Sequence, residues 1–369
     1  MRFSRALTAA VVVLTAAVTV VVGLAATPWT APAGAADRAL WKLADPRLDE
    51  ASGIGVGLRN PKVVYAQNDS GDSARLFALD ASTGRTRAVI TVPGATNIDW
   101  EDLAVAPDAR NVDSVWLADI GDNNEQRRTI QIYRVDEPSL AGADVITNPP
   151  EVWNLRYPDR AHNAEAIAID HRRNAAYLVT KSLSGTAQVF TTALSSQGGR
   201  PQTLVQLGQI QLALTGTPGG PNLFGQLTIT GAAMSPDGAM FVVRTYTDAY
   251  LWRVTSTLKA ALATQPVRIA LPAQPLGEGI TFDGPNLLTD SEGVGSTVYQ
   301  VSNPDIGASS SPANPGSDSV TRSPASSAAG GDSVALASGR SGSRLWIYAV
   351  ALGLLGAGGL VWRTARRRR

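Results

Sequence analysis

The chain has 369 residues, 44% hydrophobic and 17% charged, and its lack of cysteine excludes a disulfide framework, a thiolate metal site and a cysteine nucleophile. Its 32 basic and 31 acidic residues look balanced, but two of the basic residues fall in the first 36 and five in the last seven, leaving 25 against all 31 acids between. Such an acidic body lacks the basic patch that phosphate-backbone binding needs, so no nucleic acid partner is expected.

Residues 1–36 read as a secretory signal peptide. Arg2 and Arg5 precede an apolar run from Ala6 to Ala26, and Ala33-Gly34-Ala35-Ala36 supplies an A-x-A-like cleavage point. The length of the run leaves an uncleaved anchor as the alternative.

Residues 37–302 form the body, and a short pattern recurs in it five times: aliphatic, aromatic, any residue, aliphatic or small. The copies begin at Leu76, Ile132, Val189, Leu251 and Val298, and the fourth position fails only at Thr192. The aromatics Phe77, Tyr133, Phe190, Trp252 and Tyr299 lie about fifty to sixty residues apart, the period of one small sheet per repeat. Each repeat opens on an inner run, starting at Ser52, Glu101, Glu165, Thr230 and Glu278, whose second residue is small in all but one copy. A second run follows, then the aromatic motif. A fourth run comes next in the first four repeats: Thr86 to Val92, Glu151 to Arg156, Thr203 to Leu207 and Val267 to Leu271. The fifth repeat lacks it, and Ala39 to Leu43 can supply the missing strand and close the ring. The fold expected is all-β, a five-bladed β-propeller closed by its N-terminal strand. A sixth blade requires Gln206 to Thr228 to hide a degenerate repeat.

Residues 303–344 are rich in Ser, Ala, Gly, Pro and Asp, a composition too poor in apolar surface to offset chain entropy, and read as a disordered stalk. Residues 345–362 are uncharged and long enough to cross a hydrocarbon layer of about 30 Å at about 1.5 Å per residue. With Trp346, Tyr348 and Trp362 at the two interfaces and arginines in residues 363–369, they read as a transmembrane helix with a cytoplasmic basic tail. The expectation is a single-pass protein of the cell membrane, its propeller outside.

In a propeller, equivalent positions of every blade converge on the axis. The first residues of the inner strands then gather Glu101, Glu165 and Glu278, while the ends of the second strands bring Asp69, Asp119, Lys181, Arg244 and, in a looser alignment, Asp290 or Glu292. Carboxylates gathered this way must be paired, hydrated or bound to a cation. Three readings stand: a self-neutralised network around Lys181 and Arg244, a site for a small polar ligand or an envelope protein, and a divalent-cation site. Asn68-Asp69-Ser70-Gly71-Asp72 and Asp119 to Glu125 resemble calcium loops, but Asp-x-Gly-Asp between strands is also ordinary turn chemistry. His162 precedes Asn163 and Glu165 and is a candidate base or a surface histidine.

The Glu165-Ala166-Ile167-Ala168 and Glu278-Gly279-Ile280-Thr281 strand starts, with the blade-like repeats, resemble the gluconolactonase and strictosidine-synthase-like propellers, and more loosely the YVTN and WD-repeat-like exported bacterial propellers. The resemblance spans Arg38 to Ser302. It implies a divalent cation such as Ca2+ over the axis, held by Glu101, Glu165 or Glu278 with Asn68 or Asn163, and a lactonase or phosphoesterase activity.

Overall fold

The computed structural model describes residues 37–195 and 200–302. The expected signal peptide, stalk, transmembrane helix and tail lie outside the described residues, among which no helix is long and apolar enough to cross a membrane.

Five sheets, each antiparallel through its four main strands, follow one another along the chain. The first blade holds Ala51–Val56, Val63–Asn68, Arg75–Asp80 and Thr86–Thr91, from the inside outward. The second holds Trp100–Pro107, Asp113–Asp119, Ile130–Asp136 and Glu151–Arg156. The third holds Ala164–Asp170, Ala175–Thr180, Thr186–Ala193 and Val205–Gln211, and the fourth Ile229–Met234, Met240–Thr245, Asp248–Arg253 and Val267–Ala270. In the fifth, Ile280–Asp283, Asn286–Thr289 and Thr297–Ser302 are completed by Arg38–Lys42, which pairs antiparallel to Thr297–Ser302. The propeller has five blades, closed by its N-terminal strand. The stretch Gln206 to Thr228 contains the outer strand of blade three and a 3-10 turn, Leu223–Leu227, rather than another blade.

The core is divided into five apolar clusters, one at each blade–blade interface. Strand alternation produces this. In Ala164–Asp170, Ile167 and Ile169 pack toward blade two, while Ala166 and Ala168 pack toward blade four. Fully burying one such aliphatic or aromatic side chain contributes roughly 1.5–3 kcal/mol. Phe77, Tyr133, Phe190 and Trp252 of the aromatic repeat are all buried in these clusters. Tyr299 is only half-buried, at the border of the cluster between blades four and five.

Small residues at the second inner position let the strands crowd the axis. A Cβ on Gly53 would lie 2.5 Å from the Leu103 amide nitrogen, and one on Gly231 would lie 2.6 Å from the Glu278 carbonyl. Two short segments, unforeseen in the sequence, reach back to the preceding blade: Asp144–Ile146 pairs parallel to Thr86–Thr91, and Gln202–Thr203 to Glu151–Arg156. Each covers part of an outer edge that would otherwise offer unpaired backbone groups.

Candidate functional site

Every inner strand of the first four blades slips register at its second or third residue. The shifts fall between Ala51 and Gly53, Trp100 and Asp102, Ala164 and Ala166, and Ile229 and Gly231. The residue left over is Ser52, Glu101, Glu165 or Thr230, the same column that the sequence repeat aligns. A bulged residue escapes the ladder and its side chain is re-aimed. Two of these bulges carry glutamates, and Glu278 enters just ahead of the short inner strand of blade five, its amide donating to Asp290 at 3.3 Å.

Glu101, Glu165 and Glu278 are all buried, with 3–5% of their surface exposed. Lys181 meets them from the end of the second strand of blade three, its Nζ 2.8 Å from Glu165 Oε2. Asn163 Nδ2 donates to the other Glu165 oxygen at 2.8 Å, while its own Oδ1 accepts from the Asp122 amide at 2.7 Å. Glu165 and Asn163 are therefore committed to protein partners. Burial pushes the Glu101 carboxyl well above the ordinary range, with Glu165, Asp69 and Asp99 adding to the shift and Lys181 opposing it. Burial also raises Glu278; Lys181 and Arg244 oppose this, and Glu292 and Glu165 reinforce it. For Lys181 burial works against the charge, yet Glu165, Tyr246, Glu101 and Glu278 together hold it well above the usual lysine value. Tyr246, half-buried, is blade four's contribution and went unnoticed in the sequence. Burial and then Glu278 raise its phenol.

The other expected residues take different positions. Arg244 is completely buried, and its guanidinium donates to the carbonyls of Thr245, Gly279, Asp290 and Tyr246 at 2.9–3.4 Å. It ties blade four to blade five, and burial lowers its pKa to about 10. Asp119 is also fully buried, pairing with Arg127 at 2.9 Å and accepting the Asp99 amide at 3.0 Å. Glu292 is half-buried in the loop after Asn286–Thr289, close enough to Glu278 to raise its pKa. In the two calcium-like loops the carboxylates have protein partners: Asp72 pairs with Arg75 at 2.8 Å, Asp119 pairs with the Arg127 guanidinium, and Asp122 accepts the Arg127 backbone amide at 2.6 Å. His162 is 2% exposed, bonded through Nε2 to Asp159 at 3.0 Å and wedged between the rings of Tyr157 and Phe190.

Asp69, Asp99 and Glu101 each bring a carboxylate oxygen within 4.8 Å of the others. Asp99 lies two residues before the repeat column, so the sequence offered only its proximity to Glu101.

Below the mouth sits Asp102, the single large residue among the second inner positions and fully buried. Its Oδ1 accepts the Leu103 amide at 2.8 Å, and its Oδ2 accepts Ile167 at 3.0 Å and Ala232 at 3.2 Å. One carboxylate thus fastens blades two, three and four at the axis.

Fold and site together define a five-bladed β-propeller with an acidic axial mouth. No family model matches the chain, and no curated protein sequence matches it. Solved structures similar to it include the soluble aldose sugar dehydrogenase of Escherichia coli, at 10% identity, covering 72% of this chain and 99% of that one, with a TM-score of 0.40. A gluconolactonase from Xanthomonas campestris is similar at 13% identity over 69% of this chain and 88% of the other, TM-score 0.36. A nidogen/laminin complex is similar at 14% identity over 65% and 72%, TM-score 0.36.

Proposed function

We propose that this propeller is an extracytoplasmic binding module, held at the cell membrane by residues 345–362, which captures a positively charged ligand or a basic segment of an envelope protein in its axial mouth. The observation that carries this reading is the charge imbalance there. Glu101, Glu165 and Glu278 stand around the single ammonium of Lys181, with Glu292 acting on Glu278 and Asp69 on Glu101, while the Arg244 guanidinium is spent on carbonyls. Gathering carboxylates beside one ammonium costs free energy that an arriving cation relieves. Ile98, Leu183, Leu214 and Val294 in loops and Leu223 and Phe224 in the 3-10 turn, each more than half exposed, suit a partner with apolar flanks.

Titration calorimetry of the purified chain with spermidine and with an oligolysine peptide tests the reading. Saturable binding is expected, about tenfold weaker in the Glu165→Gln/Glu278→Gln variant and weaker in high salt. Absence of binding by either probe, or an unchanged affinity in the variant, removes it. A cation-dependent hydrolase of lactones or phosphoesters is a second reading, favoured by the raised carboxyls of Glu101 and Glu278, which suit general acid work. His162, packed between rings, is not available for that role. Turnover in a lactone and phosphoester screen, abolished by chelator, is the outcome it requires.

A further inference from the structure

We infer that Asp69, Asp99 and Glu101 form a binding site for a hard divalent cation, calcium foremost, at the corner where blades one and two meet. The inference rests on reading the axial mouth as a seat for positive charge, and names the ion that takes it there. The three carboxylates bring oxygens within 4.8 Å of one another. An ion coordinated at about 2.3–2.6 Å bridges oxygens at that spacing.

A second observation is independent of this clustering. Glu101 is only 4% exposed, yet among the described residues no hydrogen bond or ion pair reaches its carboxylate. The nearby ammonium of Lys181 is bonded to Glu165 instead. A buried carboxylate without such a partner is expensive, and a cation is the usual remedy. Glu101 is also aimed. Its Oε1 lies 2.1 Å from where a Cβ on Gly121 would stand, and Asp99 Oδ2 lies 2.6 Å from the same point. Only glycine at 121 lets these two carboxylates converge.

The backbone around the three ligands is held by the fold. Gly121 donates to the Asp99 carbonyl at 3.1 Å, Asp99 donates to Asp119 at 3.0 Å, and Asn97 Nδ2 donates to the Asp69 carbonyl at 2.8 Å. Arg127 neutralises the layer behind, bonding Asp119 and the Gly121 carbonyl. The donor set is all oxygen, without histidine or cysteine, which selects calcium, magnesium or manganese over zinc or copper. Three carboxylates do not fill the six to eight positions calcium takes, so the remainder is open to water or to a ligand's oxygen.

The test uses the full chain, treated with EDTA and dialysed into metal-free buffer. Terbium is added and its luminescence excited through Trp100, which lies between Asp99 and Glu101 in sequence; calcium is then titrated in competition, and calorimetry gives the stoichiometry. Expected are one site per chain, calcium displacing terbium, and affinity lowered about tenfold or more in Asp69→Asn/Asp99→Asn, where ligand charge is lost without loss of volume. The metal-free double variant should melt at or above the wild-type temperature, since clustered negative charge has been relieved. No saturable calcium binding, an unchanged affinity in the variant, or zinc binding more tightly than calcium overturns the inference. Spermidine binding reports on the parent proposal separately, because it depends on Glu165 and Glu278, which the double variant leaves intact.

Discussion

Asp102 shows how much one side chain can decide at a symmetry axis. Three amides from three blades converge on its carboxylate, in a place water does not reach. Asp102→Ala strands all three donors, each costing about 1–3 kcal/mol when buried and unpaired. Urea unfolding should therefore show a loss of about 3 kcal/mol or more, with Asp102→Asn intermediate because its single oxygen cannot serve both sets of donors. Equal stability in Asp102→Ala would mean the axis is held by packing alone. The sequence marks Asp102 only as the exception in a column of small residues, because a repeat pattern reports what the blades share, and this residue does what no other blade repeats. Arg244 teaches the complementary lesson. Its position at the end of a strand is readable, but the direction of its guanidinium is set by Gly277, where a Cβ would lie 2.0 Å from Nη2, and by carbonyls of the neighbouring blade.

Among the elements, the strand Arg38–Lys42 carries closure. Trp41 is 7% exposed, donates to the Ala81 carbonyl at 2.9 Å and lies where a Cβ on Gly84 would be 2.5 Å from its ring. Gly84 also has φ +69, which a side chain would resist on its own account. The strand thus belongs to blade five by hydrogen bonds and leans on blade one by its tryptophan. Trp41→Ala should cost about 3–5 kcal/mol, read as a lowered thermal midpoint. Deleting residues 37–43 should in addition uncover the Thr297–Ser302 edge and produce association visible by light scattering. A monomeric deletion variant with the wild-type midpoint would contradict this account of closure. The blade count and this closing strand were legible because aromatic spacing and a missing fourth run are properties of composition along the chain. The repeated bulges were not. Their residues stand out in the sequence as a column, but the slip that turns each one out of its ladder depends on partners in the adjacent strand.

At the scale of the whole molecule, two populations of carboxyls pull stability in opposite directions with pH. Burial pushes Glu278 well above 4.5, with Lys181 opposing, and pushes Asp290 from 3.8 to about 6, with Arg244 opposing. For a group whose folded value is raised, ionisation penalises the folded state. Its contribution is most favourable below the unfolded value and declines as pH rises toward the folded one. Hydrogen bonds act the other way on Asp45, held low chiefly by Arg47, on Asp80 by Ser82, and on Asp237 by Ser235. Their stabilisation is complete above the unfolded value of 3.8 and is lost as pH falls below it. Lys181 is raised above 10.5 and stays charged throughout this range, so it adds no slope. The two slopes leave a maximum in mildly acidic solution, between about pH 4 and pH 6. Thermal midpoints measured in EDTA should therefore be higher near pH 5.5 than at pH 8, and should fall steeply below about pH 3.5. Glu278→Gln removes one of the groups that titrate on the alkaline side, so its midpoint should change less between pH 5.5 and pH 8 while the acid limb stays as it was. A wild-type midpoint that climbs from pH 5.5 to pH 8 would mean the mouth carboxyls ionise without penalty, and the charge imbalance on which ligand capture depends would then be neutralised within the protein itself.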